Sequence, residues 1–575
     1  MKKHTITLLI PLILLGISLL PLISFFHPGL PITHDGKDHV VRIVSFYASL
    51  QEGNIVPRWA GNLNWGYGHP IMMFLYPFSS YVASIFRFIG FSFVDATKVT
   101  FILAYIASTL SMYLWMHAVW GKRAGFIGAL LYGFAPYRFV DIYVRGAIGE
   151  HMAFVFPPLI MYFLYKLAKN SVSTKNHELR TNIYYGVELS IAFAFFILSH
   201  NAISLMFLPI IGLYSVYLFV FEANNRLMFS ISSLLSMSVG FGLSSFFWIP
   251  AFFEGKYTLR NIVTAGEAMT RFVPFSWFFY SPWNYGGTAT LTKSLDIPQW
   301  AGIAASFVLI WKTKEKKIRF LLFTFYFLLF TSLFIMTSAS EFIWIRIKIL
   351  QNFQFPWRFL SASTFIAAVI GGISISYIIN NVNKFATHNV HLSSNREQGT
   401  KNLLFIIFCF FSIIVTVYMW HPKAYSLEDE SSYTGIYPGT TDTGESSPIW
   451  SVRFMEHLPA NPMEVVEGEA LITVGKRTTT LHEYTIVAKK QSRIVENTLY
   501  FPGWRIFVDG ISAGIQFQDP MYRGLMTFWI DEGEHTVKVQ FTDTKVRRLA
   551  STISILSVVF VLLAGLSTFL CIRKK

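Results

Sequence analysis

Cysteine is almost absent from this chain: Cys409 and Cys571 are the two in 575 residues. Both fall in long apolar runs, which argues against a disulfide framework and against a cysteine-built metal site. Charge is scarce too, at 14% of residues. No stretch carries a nucleotide-binding glycine motif, no serine sits in a nucleophile-elbow context, and no internal repeat is visible. Nucleotide-loop enzymes, elbow-type serine hydrolases and repeat architectures are thereby set aside.

Apolar surface is what the chain has in abundance, with 53% hydrophobic residues and a mean hydropathy of +0.46. Apolar runs near the ~20 residues that cross a bilayer recur along it, so the fold class expected is a polytopic α-helical membrane protein. About twelve spans are expected: Thr5–His27, Val94–Trp120, Ala124–Ala135, His151–Leu167, Ile183–Ser199, Ala202–Phe221, Met228–Phe252, Trp300–Trp311, Phe320–Thr337, Phe359–Ile379, Leu403–Trp420 and Leu549–Ile572. The first reads as a retained span, because its apolar run is long and no A-x-A-like cleavage site follows. Ile71–Gly90, interrupted by Pro77 and Arg87, is expected to lie on or dip into the outer face.

The net charge of +15 has an ordinary use in such a protein, which is to set orientation, and does not imply a nucleic-acid partner. With Met1 inside, the basic loops Gly121–Arg123, Lys166–Asn182, Lys312–Arg319 and Asn380–Asn402 and the tail Arg573–Lys575 all land inside. A multi-pass cell-membrane protein with both termini cytoplasmic follows. Lys545, Arg547 and Arg548, at the expected outer end of the last span, run against the rule. Lys384–Gly399, polar and aperiodic, is expected to be mobile.

Period-two alternation appears after His421, at Ala470–Val474, Leu481–Ala488, Ile494–Tyr500, Arg505–Val508, Met526–Ile530 and His535–Phe541. Asp509-Gly510 and Glu532-Gly533 are turn residues among them. A C-terminal β-sandwich on the outer face is expected, with Tyr425–Ser447 looping back over the membrane part. The domain division is 1–420 as a transmembrane domain with a large first outer loop (28–93), 421–548 as an extracytoplasmic β-rich domain, and 549–575 as a final helix with a basic tail.

Polar chemistry concentrates in that first loop. Between Pro28 and Pro70 lie His34, Asp35, Asp38, His39 and Arg42, then Arg58, Trp59, Trp65, Tyr67 and His69. From Gly36 the pattern is helical, which sets Asp35/His39 and Asp38/Arg42 at i,i+4. Either a substrate-holding, proton-moving cluster or a capped helix with a surface ion pair fits those residues. On the same expected side fall Arg138, Asp141, Arg145, Glu150, His151, His200, Asn201, Glu254, Arg260, Arg271, Arg346, Lys348 and Arg358. Arginine suits phosphate because its planar fork donates two bonds at once. The bland alternative is snorkelling at span ends. His200-Asn201 reads first as a helix end and cap, and the Trp59–Tyr67 aromatics first as interface anchors, with stacking on a sugar ring as the sharper reading.

The segments THDGKDHVVRI, IVPRWAGNLNWGYGHPIMMFLYP, YVRGAIGEHMAFVFPPL, LSHN and FQFPWRFL resemble those of bacterial membrane proteins labelled 6-pyruvoyl-tetrahydropterin synthase-related. That group is similar to the GT-C superfamily of polyprenyl-phosphate-sugar glycosyltransferases, and YFPGWRIFVDG resembles outer-domain segments of large bacterial membrane proteins. The resemblance implies a GT-C-like fold and transfer of a sugar from a polyprenyl-phosphate donor to an extracytoplasmic glycan, lipid or protein acceptor of the cell envelope. It implies that an acidic residue of the first outer loop is the catalytic base: Asp35, with Asp38 second and His39 in support. It places substrate binding at His34, Arg42, Arg58, Tyr67, His69, Arg138, Arg145, Glu150, His151, His200, Arg346 and Arg358, with Arg138, Arg145 and Arg358 on the lipid phosphate. The resemblance fixes no cofactor. A divalent cation is the one candidate, and Asp35, Asp38 or Glu150 would hold it. Where relatives carry an EYLP-like motif this chain reads Glu445-Ser446-Ser447-Pro448, which leaves Glu445 without an implied role. A transporter or flippase of a lipid-linked sugar, or a non-catalytic envelope assembly protein, would share the phosphate-binding face without a base.

Overall fold

The computed structural model describes residues 2–170, 176–382 and 394–572. Within them, ten helices are long and apolar enough to cross a membrane, so the chain is a multi-span helical membrane protein. The principal helices are α1 (Lys2–Leu19), α2 (Gly36–Gln51), α3 (Phe78–Phe88), α4 (Phe93–Trp120), α5 (Lys122–Gly133), α6 (Phe156–Asn170), α7 (Asn176–Ser199), α8 (Asn201–Phe221), α9 (Arg226–Leu243), α10 (Ser245–Glu254), α11 (Ile297–Lys312), α12 (Lys316–Ile335), α13 (Leu360–Asn380), α14 (Ser394–Ile414) and α15 (Lys545–Ile572).

Two of the twelve expected spans are shorter than a crossing. Helix α5 has 12 residues and α11 has 16, about 18 and 24 Å at 1.5 Å per residue. Both pack against α13, which is buried at every position from Leu360 to Ser374. Helix α5 is buried from Ala124 to Gly133, whereas α11 leaves Phe307 and Trp311 exposed, so an apolar run can mark an enclosed helix as well as one with an open face. A third expectation, Met228–Phe252 as one span, also changes. Helices α9 and α10 are separate rods that meet at Ser244. The final helix fills this break: Ser245 Oγ donates to the Ala550 carbonyl (2.8 Å), and the Phe246 amide donates to Ser554 Oγ (2.9 Å).

Charge divides the two ends of the bundle. At one end Lys169 and Lys317 share Glu222, and Arg123 bonds Asn380 and Asn402. The other end carries α2, the β-domain and the remaining acidic and arginine-rich loops. The loop Lys166–Asn182 and the stretch Lys384–Gly399 lie partly outside the described residues, and the tail Arg573–Lys575 lies wholly outside them.

The strands are β1 (Leu30–Pro31), β2 (Tyr425–Ser426), β3 (Met463–Glu467), β4 (Ala470–Arg477), β5 (Leu481–Ala488), β6 (Ser492–Leu499), β7 (Trp504–Val508), β8 (Ile511–Ala513), β9 (Leu525–Ile530) and β10 (Gly533–Phe541). A five-stranded sheet ordered β4-β5-β10-β7-β8 and a three-stranded sheet ordered β3-β6-β9 close on a shared core that includes Ile486, Ile494, Ile506, Phe528, Val537 and Val539. Asp509 and Gly510 both take positive φ (50° and 81°), as a two-residue hairpin requires, and join β7 to β8. Glu532-Gly533 instead carries the chain from one sheet to the other.

Residues 425–447 form a strap over the first loop. Strand β2 pairs with β1, and farther along, the Asn64 and Trp65 amides donate to the carbonyls of Gly439 (2.8 Å) and Tyr437 (3.0 Å). On the far side, Arg547 is fully buried and donates from Nε to Glu254 (2.8 Å) and from Nη2 to the Pro502 carbonyl (2.6 Å). The charge of Arg547, which runs against the expected orientation, is neutralised inside the protein, at the joint between α10, the sandwich and α15.

Candidate functional site

The Asp35 cluster is built by backbone approach. His34 and Asp35 donate their amides to the carbonyls of Val144 (3.0 Å) and Arg145 (2.8 Å), so the start of α2 docks on the Val140–Arg145 π-helical turn. Gly146 permits this. It adopts φ +68°, and a Cβ there would meet Thr33 Oγ1 at 2.2 Å. Asp35 occupies the N-cap position of α2, yet its side chain makes no cap bond. Among the described residues no hydrogen bond or ion pair engages that exposed carboxylate, so it is free to accept a proton from something outside the fold.

Around it the expected i,i+4 pairing is replaced. Asp38 accepts from the Tyr437 hydroxyl of the strap (2.9 Å) and is not within ion-pair distance of Arg42. Arg42 turns inward, donating to His39 Nδ1 (2.9 Å) and to the Thr441 carbonyl. Burial holds the Asp38 carboxyl above its ordinary range, partly opposed by Arg42. Burial also drives His39 well below the usual imidazole range, and Arg42 and Arg145 push the same way. With its Nδ1 accepting from arginine, His39 is neutral, and it orients Arg42 rather than serving as a second proton acceptor.

Behind α2 lies a buried ionic centre. Arg145 Nη1 donates to Asp141 (2.5 Å) and Glu150 (2.7 Å), and the Tyr137 hydroxyl donates to Glu150 (2.5 Å). Arg358 Nε stands 3.9 Å from Glu150. Tyr76 sits at the middle of the site, where the charges of Arg42, Arg358, Asp35 and Arg145 all act on its hydroxyl, which burial holds above the ordinary phenol range. Its ring stacks on His200 (4.5 Å), and a Cβ on Gly149 would meet that ring at 1.8 Å. A cavity of about 70 Å³ opens beside it, lined by Tyr76, His200, Asn201, Arg260, Gln354, Arg358 and Glu445 among others. Arg260 Nε and Arg358 Nε, both buried, have no hydrogen-bond partner there. A polar cavity lined by two arginines with hydrogen-bonding capacity to spare suits an anion that accepts several bonds.

The residues singled out from sequence separate on this geometry. His34, Asp35, Asp38, His39, Arg42, Arg145, Glu150, His200 and Arg358 come together. His200 caps α8, accepting from the Ile203 amide at Nδ1 (3.3 Å), and faces the cavity as well. Five others do not join them. Arg138 is fully buried, bonded to Ser108 Oγ (2.7 Å) and lying over the Phe154 ring (4.2 Å), so it belongs to the bundle interior. His151 Nε2 donates to the Phe101 carbonyl (3.2 Å) beneath aromatic rings. Arg58 pairs with Asp543 (3.1 Å) at the exit of the sandwich. Tyr67 is packed into the core beneath the sandwich, and Arg346 is exposed with no ion pair among the described residues. Arg145 is present, but its charge is already shared between two carboxylates. The site also uses Tyr76, Tyr137, Arg260, Gln354, Glu445 and Tyr437, which distant segments contribute.

As for a cation, no group of three or more His, Cys, Asp or Glu side chains comes together among the described residues. Glu150 is held by Arg145 and Tyr137, so the donor set does not fit a metal, and the chemistry of the site is derived without one.

His69 gives the site a measurable pH dependence. It is fully buried beneath the strap, with Nε2 3.4 Å from Asp442, and burial lowers its pKa to about 4 despite that carboxylate. At neutral pH the contact is therefore a hydrogen bond donated by an uncharged imidazole. An unfolded histidine titrates near ~6.5, so between about 6.5 and about 4 the unfolded chain binds the additional proton and stability falls as pH falls. The full window is worth about 3 kcal/mol. Thermal unfolding should drop across that window and do so less steeply in His69→Gln; equal slopes would show that His69 is not the group responsible.

No family model matches the chain. An uncharacterized protein of Lactococcus lactis subsp. cremoris (strain MG1363) is 22% identical over 286 residues, 48% of this chain and 44% of that protein, so the chain spans less than half of the relative it matches. Among solved structures, the mycobacterial arabinofuranosyltransferase AftD is similar at 10% identity and a TM-score of 0.42, over 72% of this chain and 27% of that one. ArnT from Cupriavidus metallidurans bound to undecaprenyl phosphate is similar at 12% identity and a TM-score of 0.37, over 75% and 76%. Likenesses this loose carry no argument about activity.

Proposed function

We propose that the chain is a GT-C-like membrane glycosyltransferase that moves a sugar from a polyprenyl-phosphate donor to a cell-envelope acceptor on the extracytoplasmic side. One observation carries the reading: Asp35, a carboxylate with no internal bond among the described residues, acts electrostatically on Tyr76, which lines a cavity together with Arg260 and Arg358. The motif resemblance supports the same class.

Each part then has a task. Asp35 takes the proton from the acceptor hydroxyl as its oxygen attacks the anomeric carbon. The bond from that carbon to the lipid phosphate breaks, and Arg358 and Arg260 stabilise the charge gathering on the departing phosphate. Tyr76, between the two groups, fixes their separation. A single displacement of this kind inverts the anomeric centre. The test is whether purified protein, supplied with polyprenyl-phosphate sugar, releases free polyprenyl phosphate only when an envelope acceptor extract is added. A flippase would move the donor between leaflets and leave that bond intact.

A further inference from the structure

A second, roomier opening lies apart from the Arg358 cavity. A groove of about 500 Å³ runs between the far half of α2, the first-loop turn at Trp65 and the edge of the sandwich. Trp65, Leu458 and Pro462 give it apolar faces, and Ser45, Glu52 and Arg477 are among its polar groups. Trp65 is held there at a cost. It and Asn64 both adopt positive φ (59° and 56°), a conformation unfavourable for a bulky side chain, and the strap fastens both of their amides. Strain of this kind persists where surrounding structure imposes it, and it concentrates at binding sites.

We infer that this groove is a subsite for an uncharged oligosaccharide, the chain whose end is presented at Asp35. The inference rests on the transferase reading for its purpose and on the groove's chemistry for its ligand. Sugar rings offer apolar C–H faces to an indole and hydroxyls to carboxylate, guanidinium and serine groups, and this groove has both. Thr479 donates to Glu52, and Arg477 Nη1 donates to the Tyr484 hydroxyl, which leaves part of each group's bonding capacity open to the groove, and an acyl chain would take that part out of water unbonded. The volume lies within the range of small-molecule sites, at a junction between structural units where such sites occur. Continuity with the catalytic end is direct. Ser45 lies seven residues beyond Asp38 on the same face of α2, on the order of 10 Å at 1.5 Å per residue, and the strap segment that contributes Ile436 to the groove contributes Tyr437 to Asp38.

The test uses the full chain in lipid nanodiscs free of sugar-bearing detergent, titrated with neutral di- to tetrasaccharides of hexose and N-acetylhexosamine and read by tryptophan fluorescence. Saturable binding is expected for at least one class, weakened about tenfold or more by Trp65→Ala, a loss typical of a central aromatic contact. Trp65→Ala relieves strain and removes packing together, so Leu458→Trp is the second variant. Leu458 is 51% exposed on the groove's lip, and an indole there fills the groove without disturbing the core. It should block binding while unfolding at the wild-type temperature. Absence of saturable binding, undiminished binding by Leu458→Trp, or saturation by a long-chain alcohol in place of the oligosaccharides overturns the inference. A chain that binds the sugars but never turns over donor would retain the groove and overturn the transferase reading; turnover without oligosaccharide binding would do the reverse.

Discussion

Asp35→Asn should cut sugar transfer by at least ~10²-fold, the usual scale of general-base assistance, and leave the unfolding temperature where it was. The structure separates the two outcomes cleanly. Asp35 contributes to the fold through its backbone, with its amide donated to Arg145 and its carbonyl accepting from His39 (2.9 Å), and asparagine keeps both. The carboxylate makes no internal bond that would be lost. An amide cannot accept the acceptor's proton, so the chemistry fails alone. Asp38→Asn is the informative partner. Its oxygen can still accept from Tyr437, the strap stays anchored, and the loss of activity should be smaller. Full activity in Asp35→Asn would remove it as the base, and loss confined to Asp38→Asn would move the base one turn along α2.

Arg358→Ala should lower kcat/KM by at least ~10², the scale seen when one donor to a developing negative charge is removed. Its present bonds are light: Nη1 donates to the Phe353 carbonyl (3.0 Å), and Nε faces Glu150 at 3.9 Å. Removing it leaves Glu150 with Arg145 and Tyr137, so no buried carboxylate is stranded. Arg145→Ala is the opposite case. It would leave Asp141 and Glu150 buried without their common cation, and removing one partner of a buried pair typically costs ~3–5 kcal/mol. Loss of folding in Arg145→Ala beside a folded but inactive Arg358→Ala is the expected contrast. An active Arg358→Ala would take the leaving-group phosphate away from this cavity.

How much of the fold and the site is visible in the sequence differs by element. Helix α2 and its cluster are legible because His34, Asp35, Asp38, His39 and Arg42 lie within nine residues and share one helical period. Strand β5 is legible over its whole length, since Leu481–Ala488 alternates in burial as it does in hydropathy. Strand β8 escapes because three residues are too few to show a period, and β3 because MEVVE carries its pattern past a bulge at Val465/Glu467. The arginines are the hardest. Arg58, Arg138 and Arg358 all sit near apolar runs, and sequence cannot distinguish an arginine paired with Asp543, one buried over Phe154 and one open to a cavity. Tyr76, Arg260, Gln354 and Glu445 reach the site from four separated segments, so no spacing announces them. Glu445 shows this most plainly. It departs from the motif expected around it, yet accepts from Gln354 (3.0 Å) at the cavity wall.

The most direct measurement follows polyprenyl phosphate release from a defined polyprenyl-phosphate sugar by wild type, Asp35→Asn and Arg358→Ala side by side, each confirmed folded by its unfolding temperature. Transfer by this site requires acceptor-dependent release by wild type, equimolar with glycosylated acceptor, and near-background release by both variants. Release that is equal in all three, or wild-type protein that moves the lipid across the bilayer with its sugar still attached, would contradict it.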